Sequence, residues 1–209
     1  MVSRNLPVRD NDGNEFLFVM DGSPIFLLLI FGAVVLLPLL WVIGTYNGLV
    51  RLRNHVRESF SDIDTELKRR HDLIPNLVST VKGYAAHEVA VLTEVTEARA
   101  RAEQPHERVR DLGDDESKLV RGVGKLFAVA EGYPDLKADK NFLQLQSELV
   151  NTEDRIQAAR RFYNANVRDL NNRIEMFPSS IIAGMMNVAM ADYFEVENLL
   201  VREVPSVEM

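Results

Sequence analysis

Residues 60–98 read FSDIDTELKRRHDLIPNLVSTVKGYAAHEVAVLTEVTEA. Alternating steps of three and four from Phe60 reach Ile63, Leu67, Arg70, Ile74, Leu77, Val81, Tyr84, Glu88, Val91, Val95 and Ala98, and ten of these twelve positions are apolar or aromatic. That period holds one stripe on one side of an α-helix, as the seam of a bundle or coiled coil requires. The two exceptions, Arg70 and Glu88, fall on the seam itself. Pro75 lacks the N–H that would bond the His71 carbonyl, so a kink or a short break is expected near 71–75.

Outward from this seam the pattern stays helical. Residues 103–115 carry Pro105, Gly113 and many charges and read as a loop, after which Asp114 or Asp115 caps a helix running to about Gly132. Leu119, Val123, Leu126, Phe127 and Ala130 lie on its inner face, and Tyr133-Pro134-Asp135 makes a turn. A second long seam follows through Phe142, Leu145, Leu149, Thr152, Ile156, Ala159, Tyr163, Val167, Leu170, Ile174 and Phe177. Pro178 stops it, and Ser179 or Ser180 caps a last helix carrying Ile182, Met185, Met186, Ala189 and Phe194. No alternating strand pattern competes with these helices. The expected fold is all-α: an N-terminal transmembrane helix followed by an elongated, antiparallel four-helix bundle.

The transmembrane assignment rests on Ile25 to Gly44, IFLLLIFGAVVLLPLLWVIG, within a stretch from Gly22 to Val50 that holds no charged residue. Roughly 20 apolar residues span a bilayer core as a helix. Gly32 and Pro38 are tolerated in such a helix, and Trp41 and Tyr46 stand where interfacial aromatic anchors belong. A cleaved signal peptide would need a basic start, but Arg4 and Arg9 are outweighed there by Asp10, Asp12, Glu15 and Asp21. Arg51, Arg53 and Arg57 follow the span, with Lys68, Arg69 and Arg70 beyond them, so the positive-inside rule places the N-terminus outside and the C-terminal part in the cytoplasm. The division expected is a short extracytoplasmic tail at 1–22, a transmembrane helix at 23–45, a cytoplasmic helical domain at 46–195 and a C-terminal tail at 196–209. Residues 1–19 read as an optional leader, with Met20 as an alternative start and Asp10-Asn11-Asp12-Gly13 as an exposed turn.

The composition narrows the chemistry. The chain has 209 residues, no cysteine, 24 basic and 31 acidic side chains, and a net charge of −7. Without thiols there is no disulfide scaffold, thiol nucleophile or thiolate metal site. The acidic balance argues against a nucleic-acid partner. Glu103 and His106 hold the only Glu-x-x-His spacing, and Pro105 places it in the loop. His87-Glu88 begins a zincin-like pair, but Val91 stands where the second histidine would be. His55, His71 and His87 recur every sixteen residues, which does not put them on one helix face at roughly 3.6 residues per turn. Gly122-Val123-Gly124-Lys125 lacks the hydroxyl of a phosphate loop. Neither a metal, a cofactor nor a catalytic group is expected.

The run FSDIDTELKRRHDLIPNLVSTVKGYAAHE (60–88) resembles the signature of the LemA family. YNGLVRLRNHV (46–56), LKADKNFLQLQSELVNTEDRIQAARRFYNANVRDLNNRIEMFP (136–178) and ADYFE (191–195) are similar to other parts of the same family. The resemblance implies a bacterial, single-pass protein of the cytoplasmic membrane, with an N-terminal anchor and a helical cytoplasmic domain. It implies no catalytic residue. It also brings two expected settings, association with a membrane metallopeptidase of the stress-response type and the building of magnetosome membranes. The leader at 1–19 and the acidic stretch at 103–117 depart from the family pattern. One internal echo stands apart: Tyr46-Asn47, Val50-Arg51 and Asn54 recur at the same spacing as Tyr163-Asn164, Val167-Arg168 and Asn171.

The expected function is that of a non-enzymatic, membrane-tethered interaction or scaffold protein. Polar density beside the Pro75 interruption marks Asp62, Asp64, Arg69, Arg70, His71 and Asp72 as the candidate partner surface. The alternative for these residues is a solvated face carrying ion pairs such as Glu66–Arg70 and Asp64–Lys68. Arg51, Arg53 and Arg57 are the candidate contacts to lipid headgroups. A homo-oligomer enters through the Met-rich 181–194 segment, which would lie on lipid or on another copy if it were not the fourth bundle helix.

Overall fold

The computed structural model describes residues 24–195. The whole tail at 1–22, with the leader, the 10–13 turn and Met20, the first residue of the expected span and the 196–209 tail lie outside the described residues. Among the described residues six helices follow one another: α1 (Pro24–Tyr84), α2 (Val89–Ala102), α3 (Val109–Ala130), α4 (Pro134–Lys137), α5 (Lys140–Glu175) and α6 (Ser179–Met185). Among the described residues there is no strand. The all-α expectation holds.

The chain divides into two compact units at Asn47 and Gly48. The first contains the apolar part of α1, which is long and apolar enough to cross a membrane. Its side chains face outward all round: Leu28 is 69% exposed and Leu37 65%, with Trp41 at 40%. A helix that is apolar on every side has no solvated face to present to water.

The second unit is built on α5 and the part of α1 beyond Asn47. Leu49 meets Leu170, Ile63 packs with Ile156 and Tyr163, and the Tyr84 hydroxyl donates to Asp139 Oδ2 at 3.0 Å. Numbers rise along one helix as they fall along the other, so the pair is antiparallel. The α2–α3 hairpin lies over one end, where Leu77, Val81, Val95, Leu119, Leu126 and Phe142 share a core. Four helices therefore close around that core, with α2, expected as a continuation of the first helix, in the place expected for the 181–194 segment. Over the other end lie α6 and an irregular segment ending at Glu195.

Several boundaries differ from expectation. The helix does not break at Pro75 but runs through it; the break comes at 85–88, where the chain turns back into α2. Tyr84, at the break, is 44% exposed rather than inward. Gly83 is the weakest helix former nearby, and nothing else local signals a stop. The turn is held by long-range contacts, Tyr84 to Asp139 and the Tyr133 hydroxyl to Glu88 Oε1 at 3.1 Å. The acidic loop is shorter than expected, because α3 begins at Val109 and takes in Asp114 and Asp115. Tyr133-Pro134-Asp135 opens the one-turn α4, with Pro at its start where a missing N–H costs nothing. Helix α5 ends at Glu175, which leaves Phe177 80% exposed rather than on the seam.

The last helix is also shorter. It stops at Met185 in a Schellman arrangement: Asn187 takes φ 49°, Val188 N–H donates to the Ala183 carbonyl and Asn187 N–H to the Gly184 carbonyl. Phe194 is still buried, at 3%, but from the irregular segment rather than a helix. Gly113 makes room for it. A Cβ at 113 would sit 2.4 Å from the Glu195 carbonyl oxygen.

Continuity through Pro75 leaves the His71 carbonyl without its helical donor. Arg99 of α2 supplies one, its Nε donating to that oxygen at 2.8 Å. Replacing Arg99 by Ala should therefore cost about 1–3 kcal/mol in urea unfolding. In a Pro75→Ala background, where residue 75 regains its N–H, the same change should cost clearly less. Equal costs in the two backgrounds would show that the carbonyl is not what Arg99 stabilises.

Candidate functional site

The seam that carries α1 into the bundle carries Arg70 with it. Arg70 is 4% exposed and His71 7%. A guanidinium in such a place must find anions, and two helices supply them. Arg70 Nη2 donates to Glu116 Oε2 from α3, in a short contact, and Nη1 to Glu153 Oε2 from α5 at 2.7 Å. His71 Nε2 lies 2.8 Å from the other Glu116 oxygen. The ring nitrogen must carry a proton to donate there. Glu116 is itself 2% exposed, so both its oxygens are committed inside the bundle.

Four charged or polar side chains from three helices thus form one cluster, buried except at Glu153, which is 32% exposed, and a cavity of about 470 Å³ opens beside it. Asp64, Lys68, His71 and Asp72 of α1, Glu103 and His106 of the loop after α2, and Glu116 of α3 line its wall. His106 Nε2 reaches Asp115 Oδ2 at 3.2 Å, and the Lys118 ammonium donates to Asp115 Oδ1 at 2.7 Å. Lys118, with a smaller contribution from His106, holds the Asp115 carboxyl below the usual carboxylate range against the opposing effect of burial. Among the described residues, no three histidine or acidic side chains converge as metal ligands.

The expected partner surface divides in two. Asp62, Asp64, Arg69 and Asp72 are exposed. Arg70 and His71 are not, because they point along the seam into the bundle, and this corrects their place on that surface. Of the expected internal pairs, Glu66 lies 3.8 Å from Arg69 and 3.8 Å from Arg155 rather than against Arg70. Arg51, Arg53 and Arg57 are all exposed.

Glu116 and Glu153 were missed by reasoning from the sequence, yet one signal was available. Stepping back three from Leu119 along the inward face of α3 lands on Glu116, a seam acid matching the seam base at Arg70.

Removing one partner of a buried ion pair leaves the other uncompensated. Glu116→Ala should cost about 3–5 kcal/mol, measured by urea unfolding. The double change Arg70→Met with Glu116→Leu should cost well under the sum of the two single changes. A simple sum would mean that the groups do not act as a pair.

The model of the LemA family matches residues 59–209, beginning one residue before the quoted seam. Protein LemA of Metamycoplasma hominis is 29% identical over 160 residues, covering 75% of this chain and 73% of that protein. Magnetosome protein MamQ 2 of Paramagnetospirillum magneticum is 25% identical over 175 residues, covering 72% of this chain. Magnetosome protein MamQ of Magnetospirillum gryphiswaldense is 22% identical, covering 71% of this chain. The match spans 64% of the length of each of these two magnetosome relatives. With the matched region covering well over half of the chain, the charge cluster included, the chain belongs to the LemA family.

Proposed function

We propose that this chain is a non-enzymatic, single-pass membrane protein that presents a helical bundle to protein partners. The observation that carries the reading is the exposure of the apolar half of α1, which is charge-free and open on every side. Exposed apolar surface of that extent marks a membrane or partner contact. A bilayer core fits it, and Arg51, Arg53 and Arg57, next along the chain, meet anionic headgroups at roughly 1 kcal/mol each. The bundle then lies in the bacterial cytoplasm, with the N-terminus outside.

The buried cluster supports a structural rather than a chemical role for the charges at the bundle centre. Both Glu116 oxygens are occupied by Arg70 and His71, an arrangement that ties helices together. Partner recognition falls to the exposed remainder of the expected surface, Asp62, Asp64, Arg69 and Asp72. A membrane metallopeptidase is one partner in keeping with the family resemblance. A second reading, organisation of membrane by self-association, draws on the likeness to the magnetosome proteins.

Topology is directly testable, because the chain has no cysteine. A single cysteine at exposed position 114 should resist an impermeant maleimide in intact cells and react once the membrane is opened. Labelling in intact cells would overturn the cytoplasmic assignment. For the partner surface, a photo-crosslinking residue at Asp72 should capture one discrete protein in cells. Reversing Asp62, Asp64 and Arg69 together should abolish that capture while leaving urea unfolding within about 0.5 kcal/mol of the parent. If capture survives the reversal, this surface is not the contact.

A further inference from the structure

The segment after α6 is held in an unusual way. Asn171 Oδ1 accepts from the Ala191 N–H at 2.9 Å while its Nδ2 donates to the Ala191 carbonyl at 3.0 Å. Asn164 treats Phe194 identically, at 2.8 and 3.1 Å. Each asparagine amide exchanges both bonds with one residue, as a neighbouring antiparallel strand would. The Tyr163 hydroxyl adds a bond to the Asp192 carbonyl at 2.9 Å, and burial pushes its pKa up to about 12, so it remains a donor at physiological pH. Among the described residues, every hydrogen bond to the main chain of 189–195 comes from these three side chains.

The spacing explains why this works. Asn164 and Asn171 stand seven residues apart on α5, a rise of about 10.5 Å. Three residues of extended chain, the step from Ala191 to Phe194, span about 10 Å. Two asparagines two helical turns apart therefore address every third residue of an extended chain running antiparallel to the helix. Side-chain selection is limited to a partly buried small residue, Ala191, and a buried aromatic, Phe194, with Arg160 Cζ 5.9 Å from its ring centre.

We propose that this face of α5 is a recognition site for extended peptide of the pattern small-x-x-aromatic, and that its second occupant is the 188–195 arm of another copy of this chain. A groove that reads main chain plus one ring accepts an identical arm on identical terms, the condition for exchange between protomers. The arm is separable because, among the described residues, only these three side chains bond the main chain of 189–195, and it leaves α6 at Asn187, in a left-handed conformation that side chains other than glycine and asparagine adopt reluctantly. The proposal deepens the interaction-protein reading by naming a partner. It does not depend on the membrane anchor or on the Asp72 surface, and the test involves neither.

The test uses the full chain in detergent. One preparation is unlabelled and carries a photo-crosslinking residue at Tyr193, which is 41% exposed. The other is uniformly nitrogen-15 labelled. After the two are mixed, incubated and irradiated, mass spectrometry should find the light arm joined to heavy peptides from 159–171. Those heavy links should be lost when the heavy chain carries Asn164→Ala and Asn171→Ala. They should be lost equally when the light arm carries Phe194→Ala, which leaves the groove unaltered. Helix content by circular dichroism checks that each variant is folded. Finding only light-to-light links would show that the arm stays on its own chain, and heavy links that survive both changes would place the contact elsewhere; either result overturns the proposal.

Discussion

A guanidinium sits inside this bundle, and its neutralisation organises what surrounds it. Arg70 stands between two apolar clusters, with Leu67 in one and Ile74 in the other. The residue is only 4% exposed, so α3 and α5 must each bring a carboxylate to it. That requirement fixes the rotation of both helices about their axes, because Glu116 and Glu153 reach Arg70 in only one orientation. The apolar seams supply most of the burial energy, at about 25 cal/mol per Å², but they tolerate sliding by a turn. The charges do not. Buried ion pairs add little net stability and act chiefly on register, and here the register is shared by α1, α3 and α5.

Two readings of Arg70 and His71 compete in the sequence, and the structure decides between them. The periodicity that placed Ile63, Leu67, Ile74 and Leu77 inward placed Arg70 inward as well. The density of polar residues around Pro75 suggested a surface instead. Periodicity prevailed because a helix cannot turn one residue out without turning its seam neighbours with it. The interior of α5 was legible for the same reason: Phe142, Leu149, Ile156, Tyr163, Val167 and Leu170 are all buried. What was not legible depended on contacts between distant residues. The turn at 85–88 is made by Tyr84 and Tyr133 finding partners on other elements, and within GYAAHE only Gly83 hints at it. The course of 188–195 likewise depends on Asn164 and Asn171, which by local propensity are merely indifferent helix residues.

The internal echo noted in the sequence is informative in retrospect. Its second half, Tyr163-Asn164 with Asn171, consists of side chains that hold an extended segment, so the pattern has a chemical meaning at that place. Its first half includes Asn54, which is exposed. Equal spacing on a helix therefore gives equal potential for such contacts, and what lies across from it decides whether the contacts are made.

The gap that Pro75 leaves in the α1 ladder has a consequence for how the domain assembles. Ordinary helices complete their hydrogen bonds locally, and an early helix can then wait for partners. Around the proline, α1 cannot do so, because the acceptor at His71 is satisfied by Arg99, which arrives only when α2 has folded back. The middle of α1 and the hairpin are thus coupled, each lacking part of its stabilisation until the other is in place. Such coupling makes helix formation at 71–75 a late event and binds the length of α1 beyond Asn47 into one cooperative unit with the helices that cover it.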